Sequence, residues 1–404
     1  MLGRCGGVGV GLARRLLLPP CPIRGRKAAL RFGPGLPLLP AALIHCGGAG
    51  LPLPRAGSAS SSITTAATAG IKHSQSLAGF FYTSQSEERY PRSALHFVNV
   101  SRSTCPFIYP SFPFLPDRRR LDLLDCCNGL VLFRWYDVST TGDDEFRYVV
   151  CNPLTEEWVA LPDHDHAAGK VGTARLGFDP AAPPHFHVFV MLLDTHGFIS
   201  GVDVYSSETG GWIHREKGWD VVDVRLANPT LATVFVDGFL YLRTLCGEER
   251  HACIAAVDTE GETWSNFDTP CGQWGGDVFL GLIQQSQGRL NYACINNGVS
   301  DEEETQLGVY ALEDHANKEW ILKHRVEIFG MDGFRGAFEG GFDWIGIHPQ
   351  GNLMFFVAGS DMNTMLTCYD MDRRKATMVR ELGDGQPPYL PYVPLYSELE
   401  SIHM

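Results

Sequence analysis

A phrase made of a turn followed by a tryptophan returns about every 55 residues, and it restricts this chain to a repeat architecture. It reads Cys151-Asn-Pro-Leu-Thr-Glu-Glu-Trp158, Val204-Tyr-Ser-Ser-Glu-Thr-Gly-Gly-Trp212, Val257-Asp-Thr-Glu-Gly-Glu-Thr-Trp264, and Val309 to Trp320. The tryptophans stand 54, 52 and 56 residues apart, and a fifth copy, Cys368 to Met378, follows 58 residues on with Met378 in the tryptophan place.

Each copy is preceded by a hydrophobic hairpin pinched at a turn dipeptide. Leu121-Asp-Leu-Leu-Asp-Cys-Cys, Asn128-Gly129 and Leu-Val-Leu-Phe form the first; Asp237-Gly238, Gln287-Gly288 and Gln350-Gly351 mark three later ones, and Asp179-Pro180 the second. Glycine accepts the positive φ of tight hairpin turns, so each repeat reads as four strands. Repeated units of this kind predict an all-β fold, a β-propeller of four-stranded antiparallel blades. Five blades are readable, at 121–160, 173–216, 231–268, 278–325 and 343–382. Six are expected, because Ala78 to Thr83, Leu95 to Val100 and the tail Tyr389 to Leu399 supply strands for a composite closing blade from both chain ends. A β-sandwich is the competing fold, but it requires no aromatic at a fixed place in each unit.

Charge divides the chain. Eight of the 33 Lys and Arg lie in residues 1–70 with no acid among them, which leaves 25 basic against 46 acidic side chains in the remainder. Residues 1–73 read as a disordered basic head rich in Ser, Gly and Pro, and 74–404 as the propeller. Such a head also resembles a transit leader in composition, although its Gly and Pro break any long amphipathic helix. The expected location is cytoplasm or nucleus, with chloroplast or mitochondrion as the alternative. No stretch reaches the roughly 20 apolar residues of a membrane span, so a soluble protein with no membrane partner is expected.

The residues that carry chemistry elsewhere are poorly arranged for it here. The twelve cysteines include no Cys-x-x-Cys, and those in strands read as small buried hydrophobes with free thiols. His164-Asp165-His166 has no third metal ligand at readable spacing and reads as a solvated loop; His185 and His187 fit the polar face of a strand. No phosphate loop is present in the sequence. Asp258 to Trp264 approaches a sialidase Asp-box with one residue too many and reads better as a turn. A propeller hydrolase or oxidase is the rival reading, but no nucleophile, base and orienter stand in readable relation. The expectation is a protein that is not an enzyme and uses no cofactor.

Gln75-Ser-Leu-Ala-Gly-Phe-Phe-Tyr82, Leu123-Leu-Asp-Cys-Cys-Asn-Gly-Leu-Val-Leu132, Cys151 to Pro162 and Val236-Asp-Gly-Phe-Leu-Tyr-Leu242, in that order, resemble the F-box-associated propeller of plant F-box proteins, especially the grass-type group. The resemblance runs from about Ser74 to the C-terminus. It implies a substrate receptor, in which an F-box ahead of the propeller holds a Skp-type adaptor and cullin while the propeller takes the protein to be ubiquitinated. Residues 1–73 show no Leu-Pro opening, no amphipathic helices and no Val-Cys-Lys-x-Trp-like phrase. Adaptor and cullin are therefore expected only if an F-box is supplied elsewhere.

If the hairpin turns occupy one propeller face, the middle loops and the loops between blades occupy the other. Those loops carry Asp143, Asp144 and Glu145, then Glu248 and Glu249, then Asp301, Glu302, Glu303 and Glu304, besides Asp361. Such a face attracts a basic protein segment and repels nucleic acid. Trp219, Trp274 and Arg335 add residue types that anchor interfaces. The plainer reading is that the acids are solvated and the tryptophans cover blade edges.

Overall fold

In the computed structural model the described residues are 76–84, 94–101, 108–138, 145–164, 170–182, 185–219, 224–227, 233–248, 251–271, 281–296, 306–327, 342–359 and 363–397. Every regular element among them is a β-strand, and the strands form six antiparallel sheets arranged as the blades of a propeller. β1 (Gly79–Ser84) and β2 (Ala94–Asn99) belong to the closing blade. The first full blade is β3 (Arg120–Cys127), β4 (Leu130–Tyr136), β5 (Arg147–Asn152) and β6 (Glu157–Ala160). The second is β7 (Lys170–Phe178), β8 (Phe186–Leu193), β9 (Ile199–Ser206) and β10 (Gly211–Glu216).

The third blade has β11 (Val224–Leu226) and β12 (Val234–Val236) end to end along one edge of β13 (Phe239–Cys246), followed by β14 (His251–Asp258) and β15 (Trp264–Asp268). Its innermost strand is thus split in two, and the sequence reading, which began this blade at 231, missed the first half. The fourth is β16 (Leu282–Ser286), β17 (Arg289–Asn296), β18 (Gln306–Asp314) and β19 (Glu319–Glu327). The fifth is β20 (Phe342–Ile347), β21 (Leu353–Ala358), β22 (Thr364–Asp370) and β23 (Lys375–Gly383).

β24 (Gly385–Tyr392) then pairs with β1, giving the order β2-β1-β24. The composite sixth blade is therefore as expected, with two differences. Its tail strand begins at Gly385 and ends at Tyr392, earlier than the Tyr389 to Leu399 read from the sequence, and three strands rather than four are present among the described residues. Pro387, Pro388 and Pro391 fit here because an innermost strand has no ladder partner on its axial side.

Period-two alternation builds the ring. In β4, Leu130 and Leu132 join the apolar cluster shared with the second blade, while Val131 and Phe133 join Phe81 and Tyr392 of the composite blade. Likewise Val188 and Val190 of β8 face the first blade, and Phe189 and Met191 the third. Central strands are hydrophobic on both faces because both are buried, and six such clusters fill the six seams. Phe80 and Phe81, on alternate faces of β1, fill the two seams of the composite blade, against the fifth and the first blade respectively.

The recurring phrase is the turn between the third and fourth strand of each blade. Asn152, Ser206, Asp314 and Asp370 each receive a backbone N–H two residues ahead on their own side-chain oxygen. A left-handed residue follows four positions after each: Glu156, Gly210, Lys318 and Arg374. Asp258 caps its turn through the N–H groups of Glu262 and Thr263 instead, with Gly261 left-handed. The residue six places after the cap is Trp158, Trp212, Trp264 and Trp320 in four blades, but Ala376 in the fifth. Ala376 sits opposite Tyr369 and packs on the core, whereas Met378 is 58% exposed. Met378 is therefore not the tryptophan substitute. The two-residue spacing error arises because sequence similarity was followed past the turn without fixing the strand register.

Three inner hairpins are two-residue turns with both positions at positive φ: Asn128-Gly129, Asp237-Gly238 and Gln287-Gly288. Gln350-Gly351 differs. It lies in a longer connection, 348–352, organised by His348, whose Nδ1 accepts the N–H groups of Gln350 and Gly351.

Candidate functional site

The innermost strands β24, β3, β7, β12, β16 and β20 neighbour one another in that order around the axis. They enclose a narrow axial cavity of about 50 Å³, lined by Asp125, Leu176, Thr233, Gln284, Ile347 and Pro391 among others. Asp125 and Arg175 are both buried beside it. Asp125 accepts the N–H of Cys126 and of Leu176, each at 2.9 Å, and the Thr233 hydroxyl at 3.3 Å. Arg175 donates from Nη1 to the Leu124 carbonyl at 2.7 Å. Burial pushes the Asp125 carboxyl up, opposed by the charge of Arg175 and by its hydrogen bonds. The same burial pulls Arg175 down while Asp125 raises it. This arrangement binds the first three blades together at the axis: its lone pairs are occupied by the protein itself.

A second polar constellation lies at the outer seam of the first and second blades. The buried carboxylate of Asp203 on β9 takes Nε2 of His164 on Oδ2 and Nδ1 of His214 on Oδ1, both at 2.6 Å. The ring of Trp212 lies 4.4 Å from that of His164. Burial raises Asp203, but the hydrogen bonds and charges of the two histidines outweigh it and hold the carboxyl below its ordinary value. His164 is therefore buried and engaged, which corrects the solvated loop expected for it. Sequence spacing could not reveal this, since Asp203 is 39 residues away and only blade packing brings it near. Among the described residues, no three His, Cys, Asp or Glu side chains converge as metal ligands.

The cysteines also depart from expectation in one place. Cys271 and Cys294 form a disulfide tying the segment after β15 to β17, where a free buried thiol was the leading expectation for a strand cysteine such as Cys294 and a disulfide framework the lesser one. The seam between the third and fourth blades brings them together, which their 23-residue separation did not signal.

The turns between first and second strands, and between third and fourth, share one end of every blade, so the middle connections open at the other end. Glu145, just before β5, and Glu248, just after β13, are exposed at that other end, on the first and third blades. Nothing links them to each other. Trp219 is half-buried and packs edge-on against Trp264, ring centroids 4.7 Å apart, with Gly218 beneath the same indole. Its indole therefore rests against the fourth strand of the third blade. Asp143, Asp144, Glu249, Trp274, Asp301, Glu302, Glu303, Glu304, Arg335 and Asp361 lie outside the described residues.

A family profile described as the F-box associated β-propeller domain matches residues 72–386. The chain belongs to this family. Consistent with the membership, the chain is similar to an F-box protein of Arabidopsis thaliana, 25% identical over 278 residues that cover 63% of this chain and 60% of the relative. A second Arabidopsis thaliana protein bearing the F-box name is 25% identical over 206 residues, 50% of each chain. The F-box associated propeller thus spans 50 to 60% of the length of the curated relatives it matches. Among solved structures, TolB from Acinetobacter baumannii superimposes with a TM-score of 0.41 at 9% identity, covering 78% of this chain and 66% of that one. No helix among the described residues is long and apolar enough to cross a membrane.

Proposed function

We propose that this chain captures another protein on the propeller face opposite the hairpin turns, acting as the substrate-recognition module of a Skp-cullin-F-box ubiquitin ligase and performing no chemistry itself. The observation that carries the reading is the family match across 72–386, which covers the ring from β1 through β23. The relatives' own F-box names support it. At the axis the Asp125 carboxylate is engaged by three protein donors. The capture face takes a basic segment, drawn by Glu145, Glu248 and the acids at Asp143, Asp144, Glu249 and Asp301 to Glu304, with Trp274 and Arg335 as further anchors.

Affinity purification of the full chain from plant tissue tests the ligase assignment. Co-recovery of a Skp-type adaptor and a cullin, through an F-box supplied elsewhere, is the expected result; recovery of protein partners without either would overturn the ligase role and leave a free-standing binding domain. Charge reversal of Asp301 to Glu304 tests the face. Partner affinity is expected to drop and its salt dependence to flatten; unchanged affinity and slope would exclude that face.

A further inference from the structure

Cys246 ends β13 and Cys253 lies in β14, one ladder step away: Cys246 stands opposite His251, and Thr244 opposite Cys253. Residues opposite one another in an antiparallel pair project to the same sheet face, and so do positions two apart, so both thiols share one face. Both are unbridged and buried, in the apolar cluster shared by the second and third blades. Cys246 Sγ accepts the Asn266 amide at 3.0 Å and neighbours the Thr244 hydroxyl at 3.9 Å. Cys253 Sγ donates to Asp268 Oδ1 at 3.9 Å. Both cysteines also line a crevice of about 680 Å³ whose walls include His251, Asn266, Asp268 and, from the fourth blade, Lys318. The other titratable groups around the pair are thus His251 from β14, Asp268 from β15 and Lys318 from the turn before β19.

We propose that Cys246 is a reversible oxidation site, converted by a hydroperoxide to a sulfenic acid that Cys253 resolves as an intramolecular disulfide. In the first step the Cys246 thiolate attacks one peroxide oxygen and the O–O bond breaks. The sulfur loses two electrons, and the departing oxygen leaves as hydroxide or alkoxide and takes up a proton. In the second, the Cys253 sulfur displaces hydroxide from the sulfenic sulfur. The S–O bond breaks, the S–S bond forms, and the Cys253 proton completes a water molecule.

The surroundings divide the two roles. The neighbouring Cys253 thiol is the main influence that lowers the Cys246 thiol; burial opposes it, and Asn266 and Thr244 assist, leaving it at about 7. Cys253, beside Cys246, buried and next to Asp268, is pushed up. Elsewhere, burial holds Cys126, Cys127 and Cys151 above the ordinary thiol range. Diagonal cross-strand positions are about 7 Å apart, wider than the roughly 4 Å between Cβ atoms of a relaxed disulfide, so closing this one shifts the strands. Bridges strained in that way are readily reduced, which makes the modification reversible.

The experiment uses the full chain, mildly reduced, treated with hydrogen peroxide in the presence of dimedone, with labelled and cross-linked peptides mapped by mass spectrometry. In the wild type a peptide joining Cys246 to Cys253 is expected. In Cys253→Ser, dimedone is expected on Cys246 at least about tenfold faster near pH 7 than on Cys126, Cys127 or Cys151, because a thiol half ionised there exceeds an ordinary one by about that factor. Asn266→Leu is expected to move the pH midpoint of wild-type thiol loss upward. Labelling of Cys246 no faster than the other three, a bridge from Cys246 to a different cysteine, or a pH midpoint untouched by Asn266→Leu would each overturn the assignment. The wild-type mapping requires no substitution, so a variant that fails to fold leaves the test intact.

Discussion

Trp212 donates its indole N–H to the carbonyl of Pro162 at 3.1 Å, crossing from the fourth strand of the second blade to the linker leaving the first. Its ring packs on Tyr148, Tyr205 and His164. Trp264 and Trp320 repeat the packing, against Trp219 of the preceding linker and Phe267 of the preceding blade, while the Trp264 indole N–H bonds the carbonyl of Gly261 in its own turn. In the second, third and fourth blades the tryptophan therefore seals the blade to the one before it. Trp158 occupies the same place but is 37% exposed. The blade before it is the composite one, which supplies three strands among the described residues.

The tryptophans should consequently be unequal. Trp212→Ala is expected to cost about 2 to 3 kcal/mol and Trp158→Ala less than about 1 kcal/mol, following the scale for truncating large aromatic side chains reduced for partial exposure. Urea unfolding of the two variants checks this. Equal losses would mean that the composite blade covers Trp158 as fully as a four-strand blade does.

Asp125 and Arg175 should behave as a coupled pair. Asp125→Ala leaves a buried guanidinium uncompensated and frees the N–H of Leu176, an expected loss of about 3 to 5 kcal/mol. Arg175→Met in that background should cost much less than it does alone. A double-mutant cycle from denaturation midpoints measures the coupling, and simple additivity would show that the two groups act independently.

Acid should weaken the outer seam of the first two blades. The folded-state value of Asp203 lies below its unfolded value of about 3.9, so its contribution is present above that pH and is lost as pH falls through the folded value. Asp203→Asn is therefore expected to be less stable than the wild type by about 1 to 3 kcal/mol at neutral pH. The gap should shrink below about pH 4. Asp125, whose value is raised, contributes the opposite slope, so the variant comparison rather than the wild-type profile is the informative measurement.

Gly129 carries two demands where Gly288 carries one. Both sit at positive φ, but a Cβ on Gly129 would also collide with the backbone and side chain of Leu395, while one on Gly288 meets open space. Gly288→Ala should cost about 1 kcal/mol from backbone strain alone. Gly129→Ala should cost more and loosen residues 393–397, which hydrogen–deuterium exchange would detect. Equal effects would exclude a role for this turn in seating the tail.

The repeat itself was legible because a turn cap, a left-handed position and a core aromatic are local demands that the same few residue types satisfy each time. That is why the tryptophan phrase recurs at readable spacing, and why five blades and a composite sixth followed. Ala376 escaped because strand register, rather than likeness to tryptophan, defines the seam position. The candidate capture acids and Trp219 could be named from the sequence, but the contact of Trp219 with Trp264 depends on blade packing. Asp125 carried no readable signal, and His164 stood out only beside His166, since neither local stretch shows the distant partner.

Local sequence thus determined the blade, its turns and the number of times it recurs, because hydrogen-bonded turns and period-two burial act over a few neighbouring residues. Only the closed ring decided which distant side chains meet. Asp125 with Arg175, Asp203 with His164, and Cys271 with Cys294 are joined by packing across seams. Such pairings depend on the register and twist of whole sheets, which no short stretch of sequence encodes.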